Sequence, residues 1–164
     1  MIKKEAQKIW TLLEQVSDPE IPVLTVIDMG VIRSVKEEAD GRVEVVITPT
    51  YSGCPAMDMI EVEIRAVLQE NGYDNVVVKL VLSPAWTTEW MTESGKKKLK
   101  AYGIAPPEGV TVDKNVLFGA AKKIECPRCS SRNTEMLSQF GSTACKSLYQ
   151  CSDCKEPFDY FKCH

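Results

Sequence analysis

Apolar residues recur at helical spacing in three places within the first hundred residues. An i, i+3, i+4, i+7 pattern predicts an amphipathic helix over residues 3–16. A similar stripe over residues 60–68 predicts a second helix. A weaker pattern that starts at Met91 predicts a third helix, which Gly103 ends.

Three segments between these helices have the composition of β-strands. Residues 31–37 and 43–47 are rich in β-branched side chains and alternate in polarity, and Asp40-Gly41 between them favours a tight turn. Residues 76–82 form a nearly continuous apolar run, which is typical of a buried strand. The order α-β-β-α-β-α predicts an α+β fold in which helices back a small sheet.

The distribution of cysteines divides the chain into two parts. Of the seven cysteines, Cys54 alone lies in the first 125 residues, and the other six lie in the last 39. Between the parts, residues 103–109 contain two prolines and two glycines, which prevent a helix from continuing. We therefore predict a first domain over 1–103, a linker over 104–123 with a short extended piece at 110–116, and a small metal-binding domain over 124–164.

Charge and hydropathy exclude several classes of function. The 164 residues carry a formal net charge of -3 with a pI near 5.3, which argues against a protein that binds nucleic acid by phosphate attraction. No apolar run approaches the ~20 residues of a membrane span, and the first residues lack the apolar block of a secretory signal. We expect a cytoplasmic protein whose reduced cysteines are metal ligands or reactive thiols.

Two Cys-x-x-Cys pairs in the tail predict a metal site. Cys126 and Cys129 form the first pair, and twenty-one residues separate it from Cys151 and Cys154. Each pair lets a short turn aim two sulfurs at one point, so the two pairs supply the four thiolates of a tetrahedral Zn²⁺ site. Iron fits the same thiolates, and two separate redox dithiols are the alternative. Metal binding would supply the folding free energy of this small domain, on the order of 10 kcal/mol or more.

Three further groups near the end of the chain keep the ligand set open. Cys145, Cys163 and His164 lie close enough in sequence to replace a member of the two pairs. We prefer the pairs because their internal spacing already has the geometry that a metal needs. His164 is the only histidine and the last residue, so a solvated chain end is its simplest interpretation.

Cys54 lies between a predicted strand and a predicted helix. Pro55 fits the first helical position, which makes Cys54 the N-cap. There the helix dipole and free N–H groups favour the thiolate, the form that binds soft metals, whereas Asp58 and Glu61 oppose it. The alternative is a small apolar residue at a tight turn. One thiol cannot hold a cluster, so a partner chain, a substrate protein or the thiols of the tail must complete the coordination.

Two acidic residues and two tryptophans accompany Cys54. Asp18 and Asp28 are either turn residues bonded to local backbone or functional groups. Trp86 and Trp90 either pack in the core or line the same edge as Cys54.

Together these motifs resemble those of a known family. Asp18-Pro19-Glu20, Asp28-Met29-Gly30, the run at 48–57 and the run at 84–91 resemble the SufT-like iron–sulfur targeting family. With the tail segments at 140–146 and 156–163, the whole chain resembles the small subunits associated with the bacterial phenylacetyl-CoA monooxygenase (epoxidase). The resemblance implies a SufT-like iron–sulfur assembly domain followed by a zinc-ribbon-like domain.

The resemblance also implies an accessory role in aerobic phenylacetate degradation. Such a protein would assemble or deliver an iron–sulfur cluster to the monooxygenase, above all to its iron–sulfur flavin reductase. Cys54 matches the reactive cysteine of the family, and Asp18 and Asp28 match its signature turns. The tail would hold structural zinc, the cluster would be transient, and a homodimer would bring two Cys54 thiols together.

Two alternatives remain beside this role. The chain could be a structural zinc-containing subunit that holds the monooxygenase together without cluster transfer. It could also be a thiol–disulfide redox protein, although bound metal would quench such chemistry. An enzyme of its own is not expected, because a di-iron site built from Glu-x-x-His pairs needs histidines that the sequence lacks.

Overall fold

The structure is a computed structural model that describes residues 2–109 and 122–162, with side chains described from residue 6 onward. It divides into two compact units, Met1–Gly95 and Lys96–His164. The predicted α+β fold is confirmed. The extended piece predicted at 110–116 lies outside the described residues.

Three α-helices follow the predicted stripes: α1 is Ile2–Leu13, α2 is Ala56–Glu70 and α3 is Glu93–Tyr102. A short 3₁₀ turn, Thr88–Trp90, precedes α3. α1 ends earlier than residue 16 because the chain closes a tight turn in which the Val16 N–H donates to the Leu13 carbonyl at 3.1 Å. Within the described residues, no helix combines the length and the apolar character needed to cross a membrane.

The first unit contains a three-stranded sheet in the order β1-β2-β3, with β1 Ile32–Glu37, β2 Val43–Ile47 and β3 Val76–Leu80. β1 runs antiparallel to β2, and β3 runs parallel to β2, with α2 as the crossover between them. Ile47 pairs with both Ile32 and Leu80. The ends of β2 and β3 and the start of β1 therefore lie at one edge of the sheet, which we call the carboxyl edge.

Helices α1 and α2 cover one face of this sheet. The apolar stripes predicted from the sequence provide the buried side chains, and those with almost no exposure are Ile9, Leu13, Ile60, Ile64 and Leu68. On β2, residues 43, 45 and 47 face this core and are also fully buried. Each side chain of this size stabilises the fold by about 1.5–3 kcal/mol when it leaves water.

The second unit contains a four-stranded sheet in the order β4-β7-β6-β5. Its strands are β4 Ile104–Ala105, β5 Thr134–Ser138, β6 Lys146–Cys151 and β7 Pro157–Phe161. β4 consists of the first two residues of the predicted linker and pairs in parallel with β7. The small core packs Tyr149 and Phe158 as stacked rings beside Cys126 and Cys151. Two predicted metal ligands are therefore part of the core itself.

We expect Gly30→Ala to destabilise the first unit far more than Gly72→Ala. Both glycines have a positive φ, +69° and +90°, which costs about 1 kcal/mol for a residue with a Cβ. At Gly30 a Cβ would also lie 2.1 Å from the carbonyl oxygen of Trp90, whereas at Gly72 it meets nothing within 4 Å. Thermal unfolding followed by circular dichroism measures the difference, and equal losses for the two variants would contradict this packing.

Candidate metal centre and cysteine site

The carboxyl edge of the first sheet brings together the motifs around Cys54. The segment at 48–55 leaves β2, and the segment at 81–92 leaves β3. The Val81 N–H donates to the Ile47 carbonyl at 2.9 Å, and the Thr48 N–H donates to the Val31 carbonyl at 2.8 Å. These bonds hold the ends of the strands together, so the loops that follow them must lie side by side.

Asp28 ties the turn before β1 to the start of α3. Its Oδ2 accepts from the Thr25 N–H at 3.2 Å, and its Oδ1 accepts from the Thr92 hydroxyl at 3.0 Å. The Thr92 N–H also donates to the Asp28 carbonyl at 2.9 Å. The side chain is buried. These contacts support the interpretation of Asp28 as a turn residue.

Asp18 closes the turn that follows α1. Its Oδ1 accepts from the N–H groups of Glu20 and Ile21 at 2.8 and 2.7 Å. The carboxylate is buried, so these bonds replace those it would make with water. A part for Asp18 or Asp28 in cluster transfer stays a prediction.

The two tryptophans differ in burial. Trp86 is buried, and its Nε1 donates to the Met29 carbonyl at 2.9 Å, so it joins the core. Trp90 is half-buried, and the guanidinium carbon of Arg33 lies 3.4 Å from the centre of its ring. This cation–π contact had no signal in the sequence, because Arg33 lies on β1 and only the sheet brings it to Trp90.

Cys54 lies just before α2 and is half-buried. The N-cap is Pro55, with φ -70° and ψ -19°, and the first helical residue is Ala56. The prediction that Cys54 is the N-cap and Pro55 the first helical residue is therefore wrong by one position. The shift arises because the Met57 N–H already donates to the Cys54 carbonyl at 3.3 Å, which tightens the start of the helix.

The surroundings of Cys54 favour the neutral thiol. Burial has the largest effect and raises the pKa of Cys54, and the carboxylate of Glu20 raises it further. The Ala56 N–H and the side chains of Tyr51 and Thr50 act in the opposite direction but are weaker. The predicted preference for the thiolate is thus overturned, because burial outweighs the helix start.

Glu20 is the functional neighbour that sequence reasoning missed. We expected Asp58 and Glu61 to oppose the thiolate of Cys54, but the carboxylate that does so is Glu20. It lies thirty-four positions away in sequence, and the turn closed by Asp18 brings it to the carboxyl edge. The motif Asp18-Pro19-Glu20 was the available signal.

Four cysteine sulfurs of the second unit converge on one point. The Sγ atoms of Cys126, Cys129, Cys151 and Cys154 all lie within 4.8 Å of one another. The Sγ–Sγ distance is 3.7 Å between Cys126 and Cys154 and 3.5 Å between Cys129 and Cys151. A tetrahedral zinc site with Zn–S bonds of about 2.3 Å requires sulfurs about 3.8 Å apart. The cluster therefore fits zinc.

Backbone N–H groups point at the sulfurs of both pairs. The N–H of Cys154 is the main cause that lowers the pKa of Cys151 to about 7. The Ser131 N–H lowers the pKa of Cys129, but burial and hydrogen bonds with the other three thiols outweigh it and raise the pKa to about 12. Four adjacent thiols cannot all ionise without a cation between them, so the arrangement requires a metal to become a set of thiolates.

The two turns that carry the ligands share a local conformation. Ser130 follows Cys129 with φ +60°, and Lys155 follows Cys154 with φ +64°. Non-glycine residues adopt this left-handed conformation only when surrounding structure holds them there. The same φ at matching positions indicates that both pairs form the same turn.

The remaining candidate ligands fall into two groups. The structure does not include Cys145 in the four-sulfur cluster; it is buried, and its Sγ lies 3.1 Å from the Thr143 hydroxyl. Cys163 and His164 lie outside the described residues.

We expect Cys154→Ser to abolish stoichiometric metal binding and to unfold the second unit, while Cys145→Ser binds about one zinc per chain as the parent does. The physical reason is that the core of this unit contains ligand cysteines, so losing the metal loosens the core. Elemental analysis measures the metal, and hydrogen exchange measures folding. Loss of metal from Cys145→Ser would contradict the ligand set.

We expect Glu20→Gln to speed alkylation of Cys54 at neutral pH by about twofold or more. The Glu20 carboxylate raises the pKa of Cys54, so removing its charge lowers that pKa and increases the thiolate fraction. Mass spectrometry of the Cys54 peptide after timed iodoacetamide treatment measures the rate. Glu63→Gln, an exposed carboxylate on α2, is the matched control, and an equal acceleration there would refute the assignment to Glu20.

Comparisons with known proteins divide the chain in the same way as its two kinds of site. Residues 6–83 match the family described as iron–sulfur cluster assembly protein, and residues 111–162 match the PaaD zinc beta ribbon domain. A solved structure described as a domain of unknown function DUF59 from Bacillus anthracis covers 60% of this chain and 93% of its own, with a TM-score of 0.57 and 26% identity.

Two curated relatives extend the comparison. An Fe-S protein maturation auxiliary factor from Porphyromonas gingivalis is 37% identical over 57% of this chain and 89% of its own length. An Escherichia coli protein, which its name makes one of the subunits of a 1,2-phenylacetyl-CoA epoxidase, is 48% identical over 97% of this chain and 93% of its own length. The chain therefore belongs to the PaaD family and combines an iron–sulfur cluster assembly domain with a PaaD zinc β-ribbon domain.

Proposed function

We propose that this protein is an accessory factor of aerobic phenylacetate degradation that assembles or delivers an iron–sulfur cluster to the phenylacetyl-CoA monooxygenase, at its reductase component. The observation that carries the proposal is the separation of two kinds of thiol in one chain. Cys54 is a single half-buried thiol at the edge of the assembly domain, and four other thiols form a closed cluster in the ribbon. The relationship to the Escherichia coli epoxidase protein supports the pathway.

The chemistry of Cys54 suits a transient ligand. One thiol occupies a single coordination position of a cluster, whose irons each need further ligands. A receiving protein that offers several cysteines at once can therefore displace it. The surrounding loop leaves Cys54 half exposed, so a partner can reach the sulfur.

The ribbon suits a role in partner choice. Its four thiolates would be saturated by their own metal, so they would be unavailable for a cargo cluster. The Porphyromonas gingivalis maturation factor matches over 89% of its length, which leaves no room for a ribbon of this size. We infer that the ribbon adapts a general assembly domain to one client complex, in the cytoplasm.

A structural zinc-containing subunit without cluster transfer is the second candidate. The name of the Escherichia coli relative, which makes it part of an epoxidase, favours this candidate, as does the bonding of Asp18 and Asp28 to local backbone and side chains. In this case the chain would be present in fixed stoichiometry in the active complex.

We expect Cys54→Ala to abolish growth on phenylacetate and to leave the reductase without its cluster, while the variant stays folded and binds zinc. Cys54 is half-buried and makes no contact that the core requires, so folding should survive the loss of its sulfur. Visible absorption of the reductase isolated anaerobically from the variant strain measures cluster content. Cys145→Ala is the control for general loss of a thiol.

A reductase with a full cluster in the Cys54→Ala strain would reject cluster delivery through this residue. Recovery of the chain in the purified active complex, together with such a result, would support the structural candidate instead.

A further inference from the structure

The exposed apolar side chains of the first unit gather at the end where Cys54 lies. Among the described residues of that unit, four large apolar side chains are strongly exposed: Met59 (56%), Val62 (65%), Leu80 (48%) and Leu82 (56%). We call this set the Cys54 rim. Large apolar residues that are exposed together in a folded domain usually mark a surface that another molecule covers.

The strands place the two leucines at the carboxyl edge. Leu80 is the last residue of β3 and pairs with Ile47, the last residue of β2, and Leu82 follows two positions later. Side chains alternate along a strand, so Leu80 lies on the same face as Val76 and Val78, the face that the helices cover. It is nevertheless half exposed, because the helical layer ends there.

The helix places the other two members at the same end. Met59 lies in the first turn of α2 and Val62 in the second. Both lie off the buried stripe of α2 and face outward. Since α2 begins just after Cys54, its exposed first turns border the cysteine.

One hydrogen bond fixes how far α2 and β3 have advanced toward each other's ends. The Arg65 Nη1 donates to the Val76 carbonyl at 2.6 Å. From this contact toward Cys54, α2 advances about 1.5 Å per residue, so Asp58 lies about 10 Å away. β3 advances about 3.3 Å per residue, so Leu80 lies about 13 Å away in the same direction. The first turns of α2 and the end of β3 are therefore level.

The charge around the rim is negative. Asp58 and Glu63 are exposed on α2, and Glu20 lies close enough to Cys54 to raise its pKa. Residues 1–95 contain eight Lys and Arg against sixteen Asp and Glu, a formal charge of -8, and the rest of the chain is positive. A second copy of this chain would bring like charges together at this surface, which disfavours a homodimer through it.

We propose that the Cys54 rim is the docking surface for the cluster-accepting protein, and that this partner presents an apolar patch bordered by Lys and Arg. The inference rests on the proposed function. The apolar side chains would supply buried area next to the transferred cluster and exclude water from it. The acidic border would attract a basic partner and orient it so that its cysteines meet Cys54.

The test measures binding of the full, zinc-loaded chain to the purified apo reductase component of the monooxygenase. We expect the double variant Val62→Ser/Leu82→Ser to bind about tenfold more weakly than the parent. Glu63→Lys should also weaken binding, and rising salt should weaken binding of the parent. The matched controls, Leu137→Ser/Phe140→Ser and Glu135→Lys, change equally exposed residues of the second unit and should bind as the parent does.

Circular dichroism confirms that each variant is folded, since all the changed residues are exposed. Parent-like binding by the rim variants, an equal loss in the controls, or no measurable binding of the parent would overturn the inference. Cys54→Ser separates it from the proposed function, because this variant should bind the reductase normally without transferring a cluster. Transfer by Cys54→Ser would refute the proposed function, whereas normal binding by the rim variants would refute the docking surface alone.

Discussion

The parallel pairing of β2 with β3 determines where every candidate residue of the first unit lies. Because Ile47 pairs with Leu80, and also with Ile32 of β1, three loops that are distant in sequence leave the sheet at one edge. A parallel pair needs a crossover, and α2 provides it, so the helix must start at that same edge. The position of Cys54 next to the rim follows from this connection.

The second unit depends on a different constraint. Its core is small and consists largely of a few aromatic side chains packed around two cysteines that also belong to the sulfur cluster. A core of this size cannot compensate the conformational entropy of folding without help. The metal and the core are therefore one structure, and the Cys-x-x-Cys turns, each with a left-handed residue at the same place, are its framework.

Local sequence patterns predicted the elements of the fold well. The three helical stripes, the strands and the four-sulfur cluster all have short-range signals, namely apolar periodicity and Cys-x-x-Cys spacing. The errors arose where tertiary burial decides. The N-cap moved from Cys54 to Pro55, and the expected thiolate became a neutral thiol, because the packing around a loop cannot be read from its neighbours in sequence. The influence of Glu20 and the contact of Arg33 with Trp90 likewise depend on the sheet.

The burial of Cys54 has a consequence for the energetics of delivery. A thiol whose pKa is raised gives up its proton reluctantly, and it must do so to coordinate iron. Each departure of iron therefore returns a proton to the sulfur, and the free energy of that protonation favours release. The same burial that makes this sulfur a weak nucleophile thus makes it a poor store of metal, which is the property that a carrier needs.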